Sequence, residues 1–224
     1  MREKTSRSGG ASPIGGGVSP DGSMSVDSVR RAEINVPGCD RLPGVEKAAI
    51  REATAEDAAG IARVHIASWR TAYRGIVPDA FLDGMSREES EARWRERLDE
   101  RAPRVFFFVA EVSGSIVGFA VGGARRSESL TEFDGELYAL YLLADARGMG
   151  IGRRLLRAVA EGLSSLGFRS MLACLMAGNR SACGFYEAFG GRLVGSDTFE
   201  ISGETIEEVA YGWDDVRGLV EAPD

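Results

Sequence analysis

Cysteine is scarce in this chain: Cys39, Cys174 and Cys183 are the only three in 224 residues, and no C-x-x-C pair occurs. An odd, scattered set argues against a disulfide framework and against a thiolate zinc site, and fits a reducing cytoplasm. Histidine is scarcer still, with His65 alone. No Ser–His–Asp or Cys–His arrangement is evident, and one imidazole argues against a transition-metal site. Long apolar runs are missing too. The strongest, Val105 to Val112, falls far short of the ~20 residues a membrane helix needs. Arg2, Lys4 and Arg7 have no apolar stretch behind them, so no secretory signal is expected. Positive charge is in deficit, with 27 Lys and Arg against 34 Asp and Glu and a net charge of −7. Such a surface repels phosphate backbones, which argues against nucleic acid as a partner. A soluble cytoplasmic protein with no membrane partner is expected.

What is present divides unevenly. Residues 1–46 are rich in Gly, Ser and Pro, with GGASPIGGGVSP inside them. Such a composition cannot offset the entropy of ordering, so a disordered tail is expected. A docking arm is the functional alternative, and Met24 is an alternative start. The folded domain is expected over 47–214, with a short C-terminal tail at 215–224.

Within the domain, Ala48 to Ala53 reads as a strand, and Thr54 caps a helix running to about Tyr73. Pro78 opens a short helical turn. Ser86 and Glu89 have capping-box spacing ahead of a helix carrying Trp94 and Leu98. Val105–Glu111 and Ile116–Gly122 read as a hairpin turned at Ser113-Gly114. Glu136–Leu143 is a strand, Gly150–Leu166 an amphipathic helix, Ser170–Met176 a strand and Arg180–Phe189 a helix. Two strands around Ser202-Gly203 finish the domain. The fold class is α/β of the α+β type: antiparallel hairpins flank one strand–helix–strand crossover.

Three glycines, Gly148, Gly150 and Gly152, stand at the junction between Leu140–Leu143 and the helix that follows. Glycine lets backbone N–H groups approach an anion, and a helix N-terminus favours negative charge. Arg147, Arg153 and Arg154 add cations. A dinucleotide fingerprint needs G-x-G-x-x-G and a phosphate loop needs G-K-S/T; neither is present. The pattern Q/R-x-x-G-x-G/A, matched by Arg147, Gly150 and Gly152, resembles the coenzyme A loop of the GNAT superfamily of N-acetyltransferases. Asn179, Ala182 and Tyr186 strengthen the likeness through their N-x-x-A-x-x-x-Y register, as do Phe185-Tyr186-Glu187 and Phe189-Gly190-Gly191.

The resemblance implies a mixed, centrally splayed β-sheet flanked by helices. It implies acetyl-CoA as cosubstrate, an amine acceptor and no metal; a homodimer is compatible with it. Leu140, Leu142, Arg147, Gly148, Gly150, Gly152, Arg153, Asn179 and Tyr186 would hold the cofactor, and the backbone near Leu142 would stabilise the oxyanion. Tyr186 would assist the leaving thiolate; an aromatic packed on the inner face of its helix is the alternative. Glu136 would act as a base through water; an exposed strand-end charge is the alternative. Asn179 would fix the loop to cofactor or backbone, or serve as a plain turn residue. Trp69 and Tyr73, one turn apart, would border the acceptor groove or belong to the core. His65 reads as a partly buried structural residue. Two positions depart from the family: Ala144 stands where proline is common, and Cys174 where some members keep a glutamate base. Cys174 reads as a small buried hydrophobe. A non-catalytic acyl-CoA sensor, or an interaction module recruited by the tail, is the rival function. Tyr186 and Asn179 favour catalysis, since a sensor needs no leaving-group donor.

Overall fold

The computed structural model describes residues 48–221 and, as backbone, the pair 31–32. The tail expected over 1–46 lies outside the described residues except at that pair, which forms a short strand, β1 (Arg31–Ala32). The rest follows in chain order as β2 (Ala49–Glu52), α1 (Ala58–Ala72), α2 (Asp79–Asp83), α3 (Arg87–Asp99), β3 (Val105–Val112), β4 (Ser115–Ala124) and β5 (Gly135–Leu142). Then come α4 (Ile151–Ser165), β6 (Met171–Met176), α5 (Arg180–Ala188), β7 (Arg192–Ile201), β8 (Glu204–Trp213) and α6 (Arg217–Glu221).

The strands form one mixed sheet in the order β2-β3-β4-β5-β6-β8-β7, with β1 off this path beside β5. β5 and β6 pair in parallel at the centre, and every residue of both is buried. Strands covered on both faces read as continuous apolar runs, as LYALYL and MLACLM do. The hairpin expected at Ser113-Gly114 is present. Ser113 and Gly114 take φ of 48° and 76°, the left-handed pair that matches the twist of the flanking strands.

Helices cover both faces. Leu155, Leu156, Val159, Ala160 and Leu163 of α4 pack with Leu137, Leu140 and Leu142 of β5 and with Tyr186 of α5. On the other face Ile61, Val64 and Trp69 of α1, Tyr73 just past its end, and Trp94 and Leu98 of α3 pack with Phe119, Tyr138 and Tyr141. Close approach of α4 depends on Gly122, where an added Cβ would stand 2.4 Å from Val159 Cγ1.

The stretch 215–224 is not wholly a tail. Val216 is fully buried, Leu219 is buried, and α6 lies against α4. Five residues are too few for a helical period to show in sequence.

Candidate active site: a split sheet beside an uncapped helix

β5 and β6 pair only along Gly135–Leu137 and Met171–Ala173. The divergence coincides with a bulge. Val121 pairs with Ala139 and Gly122 with Leu137, which leaves Tyr138 as the extra residue on β5. A bulge bends its strand and sharpens the local twist. Beyond it β5 departs from β6, and a wedge opens between two buried strands. The N–H of Leu143 donates to Val117 O on the β4 side at 2.9 Å. Successive N–H groups of a strand point in opposite directions, so that of Leu142 faces the wedge. The Leu142 carbonyl accepts a hydrogen bond from Ser68 Oγ of α1 at 3.0 Å.

The chain leaves β5 through a tight turn at Ala144–Ala146 and reaches α4 through Gly148 (φ 74°) and Gly150 (φ 73°). Both are exposed, and Gly150 occupies the N-cap without any side chain to cap the helix. The first α4 bond runs from Arg154 N to Gly150 O at 3.2 Å. The N–H groups of Ile151, Gly152 and Arg153 therefore lack acceptors within the helix. Unsatisfied donors and the positive end of the helix dipole make a site for an anion.

The three arginines of this turn separate. Arg147 lines a cavity of about 270 Å³ together with Thr71, Ala72, Asn179 and Arg180. Arg153 holds its guanidinium carbon 5.7 Å from the ring centre of Phe189. Arg154 turns away, and its Nη1 donates to Ala48 O at 2.6 Å. It does not join the anion site.

Across the wedge, Asn179 caps α5 by accepting from Ala182 N–H at 3.1 Å. The side chain is buried, and its Nδ2 has no hydrogen-bond partner. The fold thus brings Arg147 and Asn179, far apart in sequence, to one cavity. Tyr186 is fully buried two turns into α5, edge-on to Trp213 at 5.4 Å and in the same core layer as Leu140 and Leu142.

Glu136 is not an exposed strand-end charge. It is 1% exposed; its Oε1 lies 2.6 Å from Arg126 Nη2, and its Oε2 accepts the Arg126 N–H at 2.8 Å. The Arg126 guanidinium carbon also stands 3.6 Å from the ring centre of Tyr138, whose hydroxyl burial pushes up to about 12. Arg126 therefore organises the start of β5. It lies in a polar loop, and sequence reasoning gave it no role.

Trp69 and Tyr73 lie in the core. Trp69 Nε1 donates to Tyr141 Oη at 3.0 Å, and its ring centre is 4.8 Å from that of Tyr73. Thr71 and Ala72, on the other side of α1, line the cavity instead. His65 is fully enclosed rather than partly buried, with Trp69, Trp94 and Tyr141 ring centres 5.5, 5.9 and 5.4 Å away. Burial, helped by the Arg97 and Arg93 cations, pushes its pKa down to about 3. Cys174 is a buried member of a small apolar cluster with Leu130, Phe133, Leu172 and Ala210. Among the described residues no helix is long and apolar enough to cross a membrane. Nor does any group of three His, Cys, Asp or Glu side chains there form a potential metal site.

A split parallel centre beside an uncapped helix end makes a site for an extended ligand with an anionic end, and comparison with known proteins specifies the family. The profile of the Acetyltransferase (GNAT) family matches residues 66–191. The chain is 41% identical over 170 residues to the uncharacterized N-acetyltransferase YuaI of Bacillus subtilis, covering 76% of this chain and 95% of that protein. It is 30% identical over 96 residues to an L-methionine sulfoximine/L-methionine sulfone acetyltransferase of Pseudomonas aeruginosa, covering 42% of this chain and 50% of that one. In fold it resembles a GNAT superfamily phosphinothricin acetyltransferase from Sinorhizobium meliloti solved with acetyl-CoA. That likeness has a TM-score of 0.58 and 24% identity, over 80% of this chain and 94% of the other. The chain belongs to the GNAT family and is an acetyltransferase.

Proposed function

We propose that the chain moves the acetyl group of acetyl-CoA directly onto a primary amine, in the cytoplasm. The observation that carries this reading is the uncapped, glycine-bounded start of α4 set beside the wedge, where the Leu142 N–H is presented. In this reading the N–H groups of Ile151, Gly152 and Arg153 receive the cofactor's pyrophosphate, with Arg147 and Arg153 as cations. Gly148 and Gly150 let it approach. The thioester arm runs along Leu140–Leu142, and Asn179 Nδ2 offers a donor from the opposite side.

The amine attacks the thioester carbon, and the Leu142 N–H steadies the oxyanion. Tyr186 offers its hydroxyl to the departing sulfur. Full proton transfer from a phenol (pKa ~10) to a thiolate (thiol pKa ~8.5) is uphill by about 2 kcal/mol. The hydroxyl therefore hydrogen-bonds as charge develops, and as the carbon–sulfur bond breaks the positively charged nitrogen of the tetrahedral adduct gives up the proton that the thiolate finally takes, leaving a neutral amide and free thiol. A lysine-type amine, with a pKa of ~10.4, must first lose a proton. Glu136 is assigned that task through water on the strength of the family resemblance alone; both its oxygens meet Arg126, and it sits where β5 and β6 are still paired.

We take amino-acid-like amines as the first acceptors to try; the support is one relative, over half its length, named an L-methionine sulfoximine/L-methionine sulfone acetyltransferase. Peptide N-termini and lysine complete the test set. Purified protein would be given acetyl-CoA and each amine, with free thiol as the readout. Thiol release that depends on one amine class supports the reading. Tight acetyl-CoA binding with no turnover on any amine would favour a non-catalytic acyl-CoA sensor.

A further inference from the structure

We propose that the chain's own segment Arg31–Ala32 docks in the wedge and must leave before the acetyl donor can enter; the second half of this rests on the cofactor reading above. The starting point is the backbone of β5. Its strand is buried throughout, and buried N–H and C=O groups need partners. β6 supplies them only as far as Leu137. Past the bulge, β1 takes over in parallel, Arg31 opposite Ala139 and Ala32 opposite Leu140. β1 also lies against β6, so it fills the split instead of extending an outer edge of the sheet. This is strand addition in the manner of peptide-binding sheets, with the guest supplied by the same chain.

Docking and cofactor binding exclude each other. Neighbouring strands stand ~4.8 Å apart, which leaves room for one extended chain along one strand edge. The arm of acetyl-CoA is itself an extended chain with two amide groups, so the edge that accepts β1 suits the cofactor equally. Leu140, assigned to the cofactor by its position, is the residue opposite Ala32. A tethered segment competes at an effective concentration in the millimolar range. Two residues of pairing make a weak hold, so the segment lowers apparent affinity in proportion to its occupancy and does not lock the site.

The test uses the full-length chain and the double variant Arg31→Pro, Ala32→Pro. Proline lacks the N–H a strand needs, so whichever residue donates to β5 loses its bond. Neither residue belongs to the catalytic machinery. Calorimetry with acetyl-CoA should give a Kd about 3- to 10-fold lower for the variant, as expected if docking fills two-thirds to nine-tenths of the wedges. Independently, hydrogen exchange in the fragment containing Ala139 and Leu140 should be faster in the ligand-free variant. Unchanged exchange overturns the docking, and unchanged Kd overturns the competition. Failure of both proteins to bind acetyl-CoA, with faster exchange in the variant, removes the cofactor reading and leaves the docking standing.

Discussion

Ser68, on α1, donates its hydroxyl to the carbonyl of Leu142, the last residue of β5, at 3.0 Å. Both residues are buried, so the bond is made away from bulk water. It ties the first helix to the part of the strand where the oxyanion would form. We predict that Ser68→Ala costs about 1–2 kcal/mol of stability, because a buried carbonyl loses a donor. It should also lower kcat more than it raises KM for acetyl-CoA. Urea unfolding and steady-state kinetics together check this; a stability loss with kcat unchanged would confine Ser68 to the fold.

At Gly150 we predict that substitution by glutamate abolishes acetyl-CoA binding in a folded protein. An added Cβ meets nothing within 4 Å, so there is room for the side chain. The left-handed φ of 73° costs a non-glycine residue about 1–2 kcal/mol. The carboxylate would then compete for the α4 N–H groups and repel the pyrophosphate. Unaltered affinity by calorimetry, in a variant with native circular dichroism, would remove this helix end from the cofactor site.

For Tyr186 the change to phenylalanine is predicted to lower kcat by ~10²–10⁴-fold, the usual cost of a positioned proton donor, with little change in acetyl-CoA affinity. The ring keeps its packing against Phe185, Tyr211 and Trp213. The loss should shrink with a thioester whose thiol is more acidic. A kcat within about twofold of the parent, where chemistry limits the rate, would return Tyr186 to a packing role.

His65 gives a prediction about pH. Neither ring nitrogen has a hydrogen-bond partner, and the folded pKa of about 3 lies below the ordinary 6.5. Between those values the unfolded chain binds a proton that the folded chain refuses. Stability therefore falls as pH drops through that window, by about 1.4 kcal/mol per pH unit from this residue. Asp57, held below its usual range by Arg51, adds its own loss on acidification. That loss is common to parent and variant and cancels between them. We predict that His65→Leu removes the histidine's share, gaining about 2 kcal/mol over the parent between pH 7.5 and pH 5. Parallel pH dependences by urea unfolding would refute it.

Much of this was legible in the sequence because local chemistry dictates it. Ser113-Gly114 and Ser202-Gly203 mark hairpins through the backbone angles they tolerate, and both turns have positive φ at each residue. The apolar stripe of α4 and the unbroken apolar runs of β5 and β6 announce one helix face and two doubly covered strands. Other features depend on residues that meet only after folding. The bulge at Tyr138 follows from the register against β4, which no single strand encodes. The Glu136–Arg126 pair joins a strand to a polar loop with no periodic signal. Trp69 and Tyr73 share a helical face in sequence, but only the packing of β5 beneath it makes that face a core. Ser68 stands one turn beyond Val64 on the neighbouring side of the helix and carries no mark in sequence distinguishing it from a small core residue.

The short pairing of β5 with β6 also has a mechanical meaning. Each flank of the sheet is internally laced: β5 runs beside β4 from Gly135 to Leu142, and β6 beside β8 from Met171 to Met176. Between the flanks the lacing stops at Leu137. Under a load applied across the sheet, this line is the seam, and it parts before either flank frays. Whatever lies in the split acts as the missing stitches. The molecule's toughness is thereby tied to the same space that the proposed chemistry would use.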